Sequence, residues 1–82
     1  MKLYEALRLT IDEGAWIAVV PAVQGWGVAR QAMRWDRQAK AWAVAFWLGD
    51  GHWRMADATL ETMPVRLGGP AIDADWEVVE VP

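Results

Sequence analysis

Apolar positions at the start of the chain recur with a helical period. Leu3, Leu7 and Ile11 repeat every four residues, and Ala6 and Thr10 share their face, the stripe of an amphipathic helix. Tyr4, Glu5, Arg8, Asp12 and Glu13 fill the other face, and Gly14 stands where a left-handed C-terminal cap is expected. The pattern then becomes a short apolar, β-branched run, Ala15 to Val20, which predicts a buried strand stopped by Pro21. Gln24-Gly25-Trp26-Gly27 predicts a turn that sets one tryptophan between two glycines.

The stretch that follows supports two periods. As a helix it aligns Val28, Ala32, Trp35, Ala39 and Trp42 on one face; as strands, Val28 to Trp35 and Ala41 to Leu48 pair across a turn at Asp36 to Lys40. Trp42, Val44, Phe46 and Trp47 suit a pleated surface, and the strand reading is preferred. Gly49-Asp50-Gly51 predicts a hairpin. A short helix is expected to begin at Asp57 and run to Met63, with Asp57 as N-cap and Pro64 as its end. Trp76 to Val81 reads as a last strand with Trp76, Val78 and Glu80 on one face and Glu77, Val79 and Val81 on the other. The expected architecture is α+β, an N-terminal helix packed on a small antiparallel β-sheet, in a single domain over residues 1–82.

Composition narrows what such a domain does. A chain of 82 residues buries only about 60% of its unfolded surface, so its stability is marginal unless something supplements the core. Without cysteine, disulfides and thiolate metal sites are excluded, which leaves oligomerisation or a dense aromatic core. With 55% hydrophobic residues in so short a chain, a homo-oligomer is expected. The chain also lacks Ser and Asn and has one histidine, His52. Ser-His-Asp and Cys-His nucleophiles are therefore out of reach, a zinc site would have only His52 and carboxylates, and no phosphate-binding glycine loop is present. The carboxylate pairs Asp73/Asp75 and Glu77/Glu80 read as solvated flanks of a strand rather than as the acid pair of a glycosidase. A non-enzymatic protein with no cofactor and no metal is expected.

The net charge of −3 argues against a nucleic-acid polymer as partner. Charge is nevertheless uneven. Arg30, Arg34, Arg37 and Lys40 lie together, whereas Asp73, Asp75, Glu77 and Glu80 make the C-terminal stretch acidic. Two readings stand: solvated faces of opposite sign, or a local site for an anionic small molecule or a head-to-tail subunit contact. Charged residues interrupt the segment after Lys2, so no signal peptide is expected, and the longest apolar run, Ala41 to Leu48, is well short of the ~18 residues of a membrane span. A cytoplasmic location with no membrane partner follows as an expectation.

Seven tryptophans, Trp16, Trp26, Trp35, Trp42, Trp47, Trp53 and Trp76, are the most informative part of the composition. Indoles are large and each N–H needs a partner. Some are expected in the core, and contiguous exposed ones would mark a binding surface. Trp26, between Gly25 and Gly27, is the best placed for ligand contact, because glycine backbone allows close approach. Trp76 reads either as core, locking the last strand to the helix, or as part of a site with Asp75.

The two ends of the chain carry a further pattern. A helix bearing Tyr4-Glu5-Ala6-Leu7 and closing at Gly14 precedes a short strand and the Gly25-Trp26 turn; the C-terminal stretch runs Asp73-Ala74-Asp75-Trp76-Glu77-Val78-Val79. This layout resembles the Thoeris anti-defence 2 family of phage proteins, whose members open with a helix carrying a Glu-Ala-Leu pattern and finish with an Asp-Trp-Glu/Gln-Val-like strand. The family consists of oligomeric sponges that sequester cyclic ADP-ribose isomers of Thoeris defence, and in some members cyclic oligonucleotides of CBASS defence, without cleaving them. The resemblance implies a small α+β fold, a homotetramer or dimer of dimers, ligand pockets between protomers, and action in the cytoplasm of an infected bacterium. Trp26 with Gly25 carries over as the Gly-Trp segment, and Asp75 with Trp76 as the terminal motif. Members usually have an arginine a few residues before the Gly-Trp turn. Pro21-Ala22-Val23-Gln24 fills that space here, and Arg30 or Arg34 stands as the candidate replacement. The middle of the chain matches only in its β character.

Overall fold

The computed structural model describes residues 1–20, 31–47, 52–64 and 72–82. Gly14 decides where the first element ends. Helix α1 spans Leu3–Glu13, and Gly14 adopts φ 72° with its N–H donating to the Thr10 carbonyl at 3.1 Å, a conformation glycine reaches without Cβ strain. At the other end, the Glu5 carboxylate reaches back to accept the Lys2 backbone N–H at 3.1 Å and sets negative charge at the positive end of the helix dipole. The buried stripe of α1 is Leu3, Ala6 and Thr10, with Leu7 and Leu9 half-buried. Small residues at its centre let the helix sit close to the sheet. Ile11, expected on that face, is instead 44% exposed; there Arg37, in the turn at residues 37–40, engages the Ile11 carbonyl rather than its side chain.

Among the described residues five strands follow: β1 (Trp16–Val19), β2 (Gln31–Asp36), β3 (Ala41–Trp47), β4 (Trp53–Met55) and β5 (Trp76–Val79). They form one sheet in the order β4-β3-β2-β1-β5 with every pairing antiparallel. This is the α+β arrangement expected. The ambiguous stretch is a hairpin: Asp36 pairs with Ala41 and Trp35 with Trp42. Its turn is held by the Asp36 carboxylate, which accepts the N–H groups of Gln38 and Ala39 at 2.9 and 3.2 Å, and Lys40 closes it at φ 51°. The expected turns at residues 24–27, 49–51 and 68–70 lie outside the described residues.

Cross-strand partners share a face, so the register sorts the tryptophans. Trp35, Trp42 and Trp76 lie on the helix side, where Trp42 and Trp76 join Leu3, Ala6, Ile17, Val19 and Met33 in one core and Trp35 packs against it. Trp16, Trp47 and Trp53 lie on the opposite face, around a second cluster built on Ala18, Ala32 and Ala45. Among the described residues each face has one edge-to-face indole pair, Trp35–Trp42 at 5.3 Å and Trp47–Trp53 at 5.2 Å between centroids, the arrangement the ring quadrupoles favour. Of the six described tryptophans three are buried and three half-buried, so both faces of the sheet work as packing surfaces.

Residues 57–63 correct an expectation. They form no helix. Leu60 lies beside β3 and exchanges both backbone hydrogen bonds with Trp42, at 2.7 and 2.8 Å. A segment this short, without an amphipathic stripe, gains less from a helical turn that must first be nucleated than from completing the β3 edge, whose amide groups would otherwise lack partners.

The same pairing fixes a second detail. Because Trp42 directs its amide groups toward Leu60, Trp35 opposite it directs its own toward the β1 side. The β1–β2 ladder contains only Ile17↔Met33 and Ala18↔Ala32. Beyond it, Thr10 Oγ1 accepts the Trp35 N–H at 2.9 Å. Thr10 is fully buried, so this hydrogen bond satisfies polar groups on both elements.

Two mutations test this account in urea denaturation. Thr10→Val keeps the shape and removes the acceptor, and should cost about 1–3 kcal/mol, the penalty of an orphaned buried donor; no measurable loss would show that Trp35 does not depend on Thr10. Trp76→Ala, at a site 3% exposed in the helix-side core, should cost about 3–5 kcal/mol; a loss below 1 kcal/mol would remove Trp76 from the core.

Candidate functional site

The basic cluster singled out by the sequence acquires a definite task at the end of α1. The last carbonyls of a helix have no intrahelical partner and lie at the negative end of its dipole, and the last turn of α1 has no basic residue of its own. Strand β2 and its turn provide two. Arg34 Nε donates to the Gly14 carbonyl at 2.7 Å. Arg37 donates from Nε and Nη2 to the Ile11 carbonyl, at 3.2 and 2.9 Å, and from Nη2 to the Asp12 carbonyl at 3.4 Å. Both guanidiniums keep donors that these bonds leave over, since each carries five N–H groups.

Between them opens a cleft of about 470 Å³ lined by Gly14, Arg34, Trp35, Arg37 and Gln38. Asp12, Glu13 and Asp36 complete its wall, though the Asp36 carboxylate already holds the turn. Two guanidiniums and carboxylates in one depression, with Trp35 in its lining, match a ligand that offers anionic oxygens together with hydroxyl or amine donors. Among the described residues no group of three or more His, Asp or Glu side chains is placed to hold a metal ion.

The residues singled out in the sequence do not converge on this cleft. Arg34 lines it. Asp75 is exposed, and its carbonyl accepts the Val20 N–H at 2.8 Å. Trp76 is buried, and its backbone exchanges hydrogen bonds with Met1: Met1 N donates to its carbonyl at 3.0 Å and its N–H donates to the Met1 carbonyl at 2.7 Å. Its place is therefore that of the core tryptophan locking β5 to the helix. Arg34 and Trp76 stand at opposite ends of α1, whose 11 residues span about 16 Å. Gly25, Trp26 and Arg30 lie outside the described residues. Sequence reasoning missed Trp35 and Gly14 as lining residues; it placed Arg37 in the basic cluster, read as a solvated face or as a local anion site, without choosing between the two. The available signal was the spacing of Arg34 and Arg37 about a predicted turn, but which helix end they would meet is a tertiary fact.

Gly14 is the point where fold and cleft depend on one residue. A Cβ there would sit 3.4 Å from Arg34 Nη2 on a backbone at φ 72°. Gly14→Ala should cost about 1–2 kcal/mol from left-handed strain, read as a lowered denaturation midpoint at unchanged slope. A neutral or stabilising result would mean that the cap is not left-handed in solution.

No helix among the described residues is long and apolar enough to cross a membrane. Set against known proteins, the chain matches no family model, no curated protein and no solved structure.

Proposed function

We propose that this protein is a binding protein rather than an enzyme, and that it sequesters a cyclic nucleotide signal, a cyclic ADP-ribose isomer or a cyclic oligonucleotide, without cleaving it. The reading joins the resemblance to phage Thoeris anti-defence 2 sponges with one observation: the cleft beside Arg34, Arg37 and Trp35. Guanidinium groups pair with phosphate oxygens in a bidentate fork. An indole stacks on a purine, worth about 1–3 kcal/mol per base in single-stranded nucleic acid. Carboxylates such as Asp12 and Glu13 accept from ribose hydroxyls, as acidic residues do in dinucleotide sites. Gly25, Trp26 and Arg30, just before β2 in the chain, remain candidates for the same ligand, with Trp26 as its stacking face. The expected setting is a homo-oligomer in the cytoplasm of an infected bacterial cell, acting in counter-defence.

A second reading, an inhibitor or adaptor that covers a host protein, draws on apolar side chains exposed on the two outer strands, Met55 on β4 and Val78 on β5.

Native mass spectrometry with a panel of cyclic ADP-ribose isomers and cyclic dinucleotides separates the two. A sponge should be oligomeric, retain a signal and release it chemically intact after heat denaturation. Trp26→Ala should weaken retention at least tenfold, the equivalent of about 1.4 kcal/mol, with little change in thermal stability. A monomer that ignores every nucleotide, or recovery of a hydrolysed product, would overturn the reading.

A further inference from the structure

The sheet has an edge that is already in use by the chain itself and is only partly covered. On β5 the alternation of an antiparallel ladder fixes where each amide group points. Trp76 exchanges both hydrogen bonds with Met1, so its amide groups point away from β1. Val78, two residues on, points the same way. Among the described residues neither its N–H nor its C=O meets a partner, and Val78 is 49% exposed. The outer edge of β5 is thus competent for strand pairing, as Met1 shows, and open one ladder step further along.

Two features say what fits there. A cleft of about 580 Å³ opens where the start of β1 meets the end of β5, lined by Gly14, Ala15 and Trp16 from the one and by residues 78–82 from the other, and it offers apolar surface next to Val78. Charge completes the description. Residues 72–82 carry Asp73, Asp75, Glu77 and Glu80 and no Lys or Arg, and Asp73, Asp75 and Glu80 are exposed. A second copy presenting this same edge would set acidic residues against acidic residues, a like-charge pairing that destabilises a ladder.

We propose that the outer edge of β5 is a docking site for an extended, basic peptide segment of a partner protein, which adds a strand at Val78. Main-chain hydrogen bonds hold the segment, apolar side chains enter the Trp16 cleft, and its Lys or Arg side chains meet the exposed carboxylates. Gly14 is the one residue this cleft shares with the Arg34–Arg37 cleft, and none of the charged residues or the indole proposed to hold a nucleotide lines it, so peptide docking stands or falls apart from nucleotide binding.

The test uses the full chain and end-capped peptides of alternating Val and Lys, with an alternating Val and Glu peptide as control, followed by amide-resolved NMR hydrogen exchange. The basic peptide should slow exchange of the Val78 amide at least tenfold, because exchange follows opening of the hydrogen bond formed. Its affinity should fall as salt is raised. Val78→Pro removes the outward N–H, a change an edge strand tolerates on its solvent side, and should weaken binding of the basic peptide at least tenfold in calorimetric titration. If that variant does not fold, the double substitution Asp75→Lys with Glu80→Lys should weaken the basic peptide at least tenfold while leaving β5 paired. Absence of protection at Val78 with peptide in excess, equal binding of the acidic peptide, or protection that rises with protein concentration alone (pairing with a second copy) would each overturn the proposal.

Discussion

A β1–β2 ladder of two residue pairs leaves the far half of β2 without a strand beside it, and the end of α1 fills that vacancy. The substitution is chemical as well as spatial. Thr10 Oγ1 takes the Trp35 N–H that a longer β1 would have taken, and Arg34 and Arg37 return the exchange by donating to the carbonyls of Ile11, Asp12 and Gly14. A helix end and a strand edge each expose backbone groups that are costly to leave unpaired. Here each supplies what the other lacks. The placement of α1 over β1 and β2, the position of the hairpin turn and the existence of the cleft all follow from this one seam.

The seam also explains how so small a chain accommodates its tryptophans. Among the described residues α1 covers one face, side chains of the sheet pack the other, and the register allots three described indoles to each face. On the far face alanines at positions 18, 32 and 45 leave room for the bulk of Trp16, Trp47 and Trp53. Alternating small and large residues lets a layer interdigitate at the density of protein interiors. Aromatic richness that in isolation suggests an exposed recognition surface is thus drawn largely into packing among the described residues.

Periodicity made the regular elements legible. The α1 stripe as far as Thr10, the Gly14 cap and the turn after Asp36 are local patterns present where the sequence placed them, and β5 alternates from Trp76 as expected but ends at Val79, two residues before the expected Val81. The errors came where a partner distant in the chain decided. Residues 57–63 have residues compatible with a helical turn, yet the demand of Trp42 for a backbone partner prevailed. Ile11 obeys the helical period but is exposed, because the turn after β2 meets its carbonyl and not its side chain. The site was less legible than the fold for the same reason. Arg34 is separated from Gly14 by 20 positions, and no local pattern tells a guanidinium that caps a helix from one that faces solvent.

The capping role constrains what the cleft is able to bind. A bare anion entering it would meet two guanidiniums partly engaged by helix carbonyls, the negative end of the α1 dipole, and the carboxylates of Asp12, Glu13 and Asp36. Opposing charges of this kind leave little net attraction for inorganic phosphate, because exposed ion pairs contribute at most about 1 kcal/mol each. A nucleotide differs in kind. In the proposed reading its purine would stack on an indole, its hydroxyls and amine would donate to the carboxylates, and its phosphate would need only the donors that the capping bonds leave over. Selectivity in the proposed site therefore arises from requiring all three contacts together, with charge setting orientation and stacking contributing much of the affinity.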